Sequence, residues 1–253
     1  MSVKKIIKRL LLSTGYEVRR VSGEVGVDPF YDIQSFSGKG SLIIVDAGAN
    51  VGQSILNFHQ VFRSPIIHAF EPGIEPFTWL QRRTSGLPNL HLNNYALGSQ
   101  SGVMELVVNS RSEMSSLLEP SVACWGTVQE RRETVVKTLD EYCVENKIQA
   151  IDVLKSDTQG FDLEVIKGAR ELLRRKAIHL IFMEVILSDM YKGLPSVDEI
   201  YTFLMDQGFS LVSFYQFHYQ HPAAAWTDVL FVNTGWSANK RLPGEMQPDG
   251  SHR

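Results

Sequence analysis

The spacing of apolar positions divides the chain into regions. Between residues 3 and 12 apolar residues recur every three or four positions among basic ones, which predicts an amphipathic helix. From residue 42 onward, short apolar runs alternate with helical stretches, which is typical of βαβ units and a mostly parallel sheet. We predict an N-terminal amphipathic helix and extension over 1–40, a main domain over 41–236 and a disordered tail over 237–253.

The main domain is predicted to be α/β, with a seven-stranded mostly parallel sheet and helices on both faces. The predicted strands are 42–46, 66–71, 90–96, 153–157, 178–185, 210–217 and 228–233, with an extra side strand at 103–109. The predicted helices are 52–62, 75–84, 138–146, 161–175 and 196–207. Residues 110–135 show no periodicity, so we expect a long loop there that is functional or mobile.

Charge and composition narrow the classes of partner. A formal net charge of -3 creates no general basic field, so we expect a small-molecule or glycan acceptor and no nucleic acid. The two cysteines, Cys124 and Cys143, are too few for a disulfide framework, which favours a cytoplasmic location. No apolar run approaches the roughly 18 residues of a transmembrane segment. The N-terminal helix either packs on the main domain or makes weak contact with a membrane surface.

A glycine-bearing turn follows the first predicted strand. Residues 46–53 read Asp-Ala-Gly-Ala-Asn-Val-Gly-Gln and lead into a predicted helix. Gly48 and Gly52 let the backbone approach a ligand closely, at the edge where open α/β sheets bind nucleosides. Asn50 and Gln53 stand where the dinucleotide fingerprint requires glycines, which argues against a nicotinamide cofactor.

Acidic residues at two strand ends indicate which nucleoside is bound. Asp46 ends the first strand, and Glu71 follows 25 residues later, where an acidic side chain accepts hydrogen bonds from a ribose diol. A carboxylate beside the ligand repels a pyrophosphate and attracts the ammonium and sulfonium groups of S-adenosylmethionine (AdoMet). We therefore predict AdoMet as the cofactor. Asn94 and Ala96 either read its adenine edge or form an ordinary strand-end turn.

Three side chains are candidates for the chemistry. Asp157 and Glu184 end neighbouring strands, where carboxylates hold a substrate hydroxyl, act as a general base or bind a hard cation such as Mg²⁺. The structural alternatives are a helix cap for Asp157 and a core hydrogen bond for Glu184. His218, in a predicted aromatic loop, is either a base for an alcohol or a surface histidine. His218 and His221 lack the further ligands of a zinc site, and no metal ligand is assigned.

In their order along the chain, these motifs resemble those of the FkbM family of methyltransferases. The matching segments are 44–52, 69–72, 94–98, 115–117, 138–140, 154–162, 166–169, Glu184 and 228–233. The resemblance covers about residues 41–234. It implies a Rossmann-like class I methyltransferase fold with AdoMet as the donor. It also implies O-methylation, often of sugars, polyketides or other secondary metabolites.

The resemblance also assigns residues to the site. Asp46, Gly48, Asn50, Gly52 and Glu71 match cofactor positions, and Asp157 matches a position next to the transferred methyl group. Where the family often reads Lys-Ile-Asp-Val-Glu-Gly-x-Glu, this chain has an amide at Gln159, which argues against a metal ligand there. Two other hypotheses are an AdoMet-binding module without transfer activity and a nicotinamide-dependent oxidoreductase. Asp46 and Asn50 disfavour the second.

Overall fold

The computed structural model describes residues 3–14, 24–38, 40–220 and 222–236. The predicted tail over 237–253 and the predicted loop residue His221 lie outside these ranges. The helices are α1 Val3–Ser13, α2 Pro29–Ser37, α3 Gln53–Val61, α4 Ile74–Arg83, α5 Leu139–Glu145, α6 Asp162–Lys167, α7 Arg170–Arg174 and α8 Val197–Asp206. The strands are β1 Ile43–Ala47, β2 Ile66–Phe70, β3 Leu90–Asn93, β4 Ala96–Leu97, β5 Gly102–Asn109, β6 Val128–Lys137, β7 Ile151–Ser156, β8 Ile178–Ile186, β9 Phe209–Gln220 and β10 Ala223–Asn233.

The main sheet has seven strands in the order β3-β2-β1-β7-β8-β10-β9. The first five of these run parallel, and β10 runs antiparallel to both β8 and β9. From β1 the chain builds outward to β2 and β3 on one side, and then returns to add β7 and β8 on the other side. The point between β1 and β7 is the switch point where open α/β sheets bind ligands. The prediction of a Rossmann-like class I fold with a seven-stranded, mostly parallel sheet is confirmed.

Helices cover both faces of this sheet and enclose two apolar cores. One core contains side chains of α5, α6, α7 and α8, and the other contains side chains of α2, α3 and α4. Central strands contribute to both cores because successive side chains of a strand point to opposite faces. Val45 and Leu154 belong to the first core, while Ile44 and Val153 belong to the second. This arrangement leaves the carboxyl edge of β1 and β7 free for a site.

A second sheet of three strands, β4-β6-β5, corrects two predictions. The single strand predicted over 90–96 is wrong, because Asn94 Nδ2 donates to the backbone oxygen of Glu71 at 2.8 Å and holds the chain in a turn between β3 and β4. The loop predicted over 110–135 is also wrong, because a 3-10 helix at Ser112–Met114 lies within it and strand β6 begins within it. β6 is mostly polar on both faces, so it carries no apolar alternation.

Two helices also differ from the prediction. The helix predicted over 161–175 divides into α6 and α7 around Gly168, where an added Cβ would clash with the backbone oxygen of Gly98. Helix α2 was missed, although Asp28 caps its N-terminus and Pro29 occupies its first turn. Its Ile33 side chain is completely buried against the main sheet.

Helix α1 confirms the predicted helix but not its predicted packing. Ile6, Ile7 and Leu10 are 44%, 53% and 65% exposed, so these apolar residues do not pack on the main domain. Within the described ranges, no helix combines the length and apolar character needed to cross a membrane.

Candidate active site

A cavity opens at the switch point between β1 and β7. We call it the first cavity. Apolar side chains form much of its wall, namely Phe70, Ala96, Leu97, Leu106, Leu117 and Phe161. Its polar edge is formed by Gly48, Asn50, Glu71, Ser112, Glu113 and Asp157. A mostly apolar wall with a few convergent polar groups is typical of a cofactor site.

The glycine turn brings three strand ends together at this cavity. The backbone N–H groups of Gly48 and Ala49 both donate to the carbonyl oxygen of Phe70, each at 3.0 Å. Gly48 adopts a φ of 77°, and an added Cβ would clash with the backbone oxygen of Asp157. Glycine at this position therefore permits both the turn and the close approach of the residue that follows β7.

Glu71 is buried at the floor of the first cavity. Its Oε2 accepts a hydrogen bond from the backbone N–H of Asn50 at 2.9 Å, and its Oε1 accepts one from Gly73 at 2.7 Å. Burial raises the pKa of Glu71 to about 7, although these two hydrogen bonds oppose the rise. Because each carboxylate oxygen can accept more than one hydrogen bond, Glu71 can also accept hydrogen bonds from the diol of a ligand.

Asp46 does not present a free charge to the ligand, so that part of the electrostatic prediction is wrong. Its side chain is 0% exposed and lines neither cavity described here. Lys155 lies directly opposite it on β7, with Nζ 3.1 Å from Oδ1, and Ser54 Oγ donates to Oδ2. Lys155 Nζ also donates to the backbone oxygen of Gly48 at 3.1 Å. Asp46 and Lys155 therefore form a buried ion pair that supports the glycine turn.

Gln159 links the two predicted catalytic carboxylates. Its Nε2 donates to Asp157 Oδ1 at 3.1 Å and to Glu184 Oε2 at 2.8 Å. Its Oε1 accepts a hydrogen bond from the hydroxyl of Tyr191 at 3.0 Å. Burial, followed by repulsion from Asp157, raises the pKa of Glu184 well above its usual range. The Gln159 amide thus holds the two acids in a fixed relation.

A second cavity lies beside the first, between α2, the start of α3 and the edge of the main sheet. It shares Gly48, Asn50, Ser112, Glu113 and Asp157 with the first cavity. Lys155 and Asp228 also line it, and neither was assigned to the site from the sequence. The sequence does contain a signal for Lys155, because it is a charged residue inside an apolar run. Asp228 begins an apolar run, but its position depends on the β8–β10 register, which places it opposite Glu184.

The structure brings five of the predicted site residues to the first cavity, namely Gly48, Asn50, Glu71, Ala96 and Asp157. Gly52, Asn94 and Glu184 stand behind this lining. Gly52 begins α3 with a φ of 88°, and a Cβ there would press on Leu80 of α4. The Asn94 amide is engaged by backbone oxygens, so it supports the turn rather than facing the cavity.

His218 is not brought to either cavity. The loop predicted for it is wrong, because β9 continues to Gln220 and His218 pairs with Trp226 of β10. Its ring stacks on Trp226 with centroids 4.9 Å apart, and its side chain is exposed. Among the described residues, no group of three or more histidine, cysteine or acidic side chains is arranged to hold a metal ion.

Residues 46–211 match the model of the methyltransferase FkbM domain, which spans more than half of the chain. This chain belongs to the FkbM methyltransferase family. The matched region begins at Asp46 and contains both strand ends and the Gln159 link described above.

Curated relatives cover most of this FkbM methyltransferase. It is 24% identical over 203 residues to the 2-O-methyltransferase NoeI of Sinorhizobium fredii, covering 76% of this chain and 79% of the relative. It is 27% identical over 223 residues to the methyltransferase sdnD of Sordaria araneosa, covering 77% and 83%. The magnesium protoporphyrin IX methyltransferase of Synechocystis superposes with a TM-score of 0.45 at 13% identity, covering 92% and 98%. At this TM-score the superposition gives no evidence beyond the order of the strands in the sheet.

Proposed function

We propose that this protein transfers the methyl group of AdoMet to a hydroxyl oxygen of a sugar, polyketide or related metabolite. Family membership establishes a methyltransferase, and the name of NoeI, a 2-O-methyltransferase, supports oxygen as the acceptor atom. The observation that carries the proposal is that Asp157 lines both the first cavity and the second. A donor and an acceptor placed in the two cavities would meet beside this carboxylate.

The distribution of groups in the first cavity suits AdoMet. Phe70, Leu97 and Phe161 offer apolar surface for the adenine, and Glu71 offers acceptors for the ribose diol. Asp157 supplies negative charge where the cationic end of the cofactor would lie. Asp46, Gly52 and Asn94 contribute indirectly, by holding the turn and the strand ends in place.

AdoMet, when bound, supplies a methyl group activated by its positive sulfur. The residues of the chain align the acceptor oxygen with that group and exclude water, and alignment alone contributes roughly 7–11 kcal/mol in favourable cases. Of the two carboxylates predicted for the chemistry, Asp157 lines both cavities and can hold the acceptor hydroxyl, whereas Glu184 lines neither. The raised pKa of Glu184 favours its neutral form, which suits a structural acid better than a base.

An assay with AdoMet that carries a tritium-labelled methyl group tests the proposal. It measures transfer of that methyl group to a panel of glycosides, oligosaccharides and macrolide alcohols. We expect the wild-type chain to label at least one acceptor and Asp157→Asn to lose at least 100-fold in kcat/KM while still binding AdoMet. Asp206→Asn, an exposed carboxylate at the end of α8, is the matched control and should keep full activity.

Each other outcome has a definite meaning. Binding of AdoMet without transfer to any acceptor would contradict the proposal and favour a non-catalytic AdoMet-binding module. Binding of NAD(H) without AdoMet would favour an oxidoreductase. Full activity of Asp157→Asn would exclude its proposed role while leaving the transfer reaction intact. Running the assay with and without a chelator determines whether Mg²⁺ takes part.

A further inference from the structure

The second cavity holds acidic groups that the reaction described so far does not use. It joins the first cavity through Gly48, Asn50 and Asp157, so a ligand within it would approach the first cavity beside Asp157. Its remaining walls come from α2, from the first turns of α3 and from the β8–β10 strand pair. A molecule of moderate size could therefore lie against the sheet edge and still reach the glycine turn.

The lining of the second cavity indicates the chemistry of its occupant. Phe30 and Phe182, with ring centroids 6.1 Å apart, provide apolar surface. Gln53 and Asn57 provide amide groups near the start of α3. Among the described residues that line it, Lys155 is the one cation, and its charge is paired with Asp46 at 3.1 Å and with Asp157 at 3.6 Å. Because Glu113, Asp157 and Asp228 also line it, the cavity disfavours phosphate and carboxylate groups and suits an uncharged, hydroxylated ring.

Asp228 has the geometry of a proton acceptor in this cavity. Within the described part of the chain, no donor hydrogen-bonds to its carboxylate, whereas Glu184 and Asp162 both accept protein hydrogen bonds. Its oxygens therefore remain available to a substrate hydroxyl. Asp228 also lies opposite Glu184 in the β8–β10 register, near the end of β8 that reaches the site.

The surrounding charges bring the pKa of Asp228 close to the pH at which a base is useful. Burial and repulsion from Asp157 and Asp162 raise this pKa to about 6, against the opposing attraction of Lys155. Glu184 faces it from β8, and the Tyr215 hydroxyl, bonded to Asp32, faces it from β9. A carboxylate with this pKa is ionised at neutral pH yet basic enough to accept a proton.

We propose that the second cavity binds the acceptor, an uncharged molecule with hydroxyl groups on a partly apolar ring, and that Asp228 accepts the proton of the methylated hydroxyl. This inference rests on the proposed O-methyl transfer. The acceptor oxygen forms a bond to the methyl carbon, while the carbon–sulfur bond breaks and leaves its electron pair on sulfur. The O–H bond breaks, its electrons stay on oxygen, and the proton moves to Asp228 and then to solvent. The products are a methyl ether and S-adenosylhomocysteine.

The test compares Asp228→Asn, Asp228→Glu and the control Asp206→Asn with the wild type, on an acceptor found in the tritium assay. Binding of AdoMet is measured by calorimetry, and folding by thermal unfolding. We expect Asp228→Asn to fold, to bind AdoMet within about threefold of wild type, and to lose 100-fold or more in kcat/KM for the acceptor. Asp228→Glu should recover part of the loss.

The pH profile separates a proton acceptor from a structural residue. With AdoMet saturating, the wild-type kcat/KM for the acceptor should fall below about pH 6, and this acidic limb should be absent in Asp228→Asn. A second screen compares neutral glycosides with the matching sugar phosphates. Neutral acceptors should be preferred at least 10-fold.

Three results would overturn the inference. These are wild-type activity in Asp228→Asn, an unchanged acidic limb in that variant, and preference for the phosphorylated acceptors. Any of them leaves the proposed O-methyl transfer standing, because the wild type still forms product. Failure of the wild type to label any acceptor would instead refute the proposed function, and this inference would fall with it.

Discussion

Replacing Lys155 with methionine tests the role of the buried ion pair beneath the glycine turn. Lys155 Nζ lies 3.1 Å from Oδ1 of Asp46, whose side chain is 0% exposed. At an effective dielectric constant of about 20, two unit charges at this separation attract by about 5 kcal/mol. Desolvation of the ammonium offsets part of this, and removing one partner of a buried pair typically costs about 3–5 kcal/mol. We expect Lys155→Met to lose a stability of that size.

The same reasoning predicts that a second substitution rescues the first. Asp46→Asn removes the uncompensated carboxylate of Lys155→Met, and its amide oxygen can still accept the hydrogen bond from Ser54. The double variant should therefore be more stable than the sum of the two single losses predicts, by at least about 2 kcal/mol. Lys192→Met, at an exposed loop position, is the matched control and should change stability by less than about 0.5 kcal/mol.

Urea unfolding at pH 7.5, followed by circular dichroism and tryptophan fluorescence, measures these free energies. In thermal unfolding, a loss of 3–5 kcal/mol corresponds to roughly 6–20 °C for a chain of this size. A loss below about 1 kcal/mol in Lys155→Met, or strictly additive single and double variants, would refute the assignment of Lys155 as the structural counter-charge of Asp46.

Three further predictions concern neighbouring groups. Since Glu71 has a pKa of about 7, the affinity for AdoMet measured by calorimetry should weaken as the pH falls from 8 to 6. Glu71→Gln should bind AdoMet about 10-fold more weakly, with no dependence on pH over this range. A wild-type affinity that does not change with pH would contradict this prediction. Burial raises the pKa of Glu184 in the folded state. The Glu184 side chain therefore favours folding below about pH 4.5, and opposes folding increasingly as the pH rises above that value. Relative to wild type, Glu184→Gln should therefore gain about 1 kcal/mol or more in urea unfolding between pH 5 and 8, and a pH-independent difference would count against the raised pKa. Because His218 lines neither cavity, His218→Gln should keep kcat/KM within about threefold, and a 100-fold loss would restore it as the base.

The sequence predicted the parts of the site that depend on single strands. Each parallel strand ends in a polar residue or a glycine turn, so Gly48, Glu71 and Asp157 were expected at one edge of the sheet, and the structure places them there. These features are local. They need only the strand ends and the rule that parallel strands share an edge.

Features that depend on pairing between strands could not be read in the same way. The Asp46–Lys155 pair follows from the β1–β7 register, and the position of Asp228 follows from the β8–β10 register. A shift of one residue in either pairing would turn these side chains to the other face of the sheet, and no local pattern fixes that shift. For the same reason the charge argument placed Asp46 beside the ligand, whereas the structure neutralises it with a lysine from the next strand.

A crystal structure of the protein with S-adenosylhomocysteine and a methylated acceptor would test the central claim most directly. We predict density for the nucleoside in the first cavity, with its ribose hydroxyls on Glu71, its adenine against Phe70 and Leu97, and its sulfur facing Asp157. A nucleoside bound elsewhere, or a ribose that makes no contact with Glu71, would contradict the account.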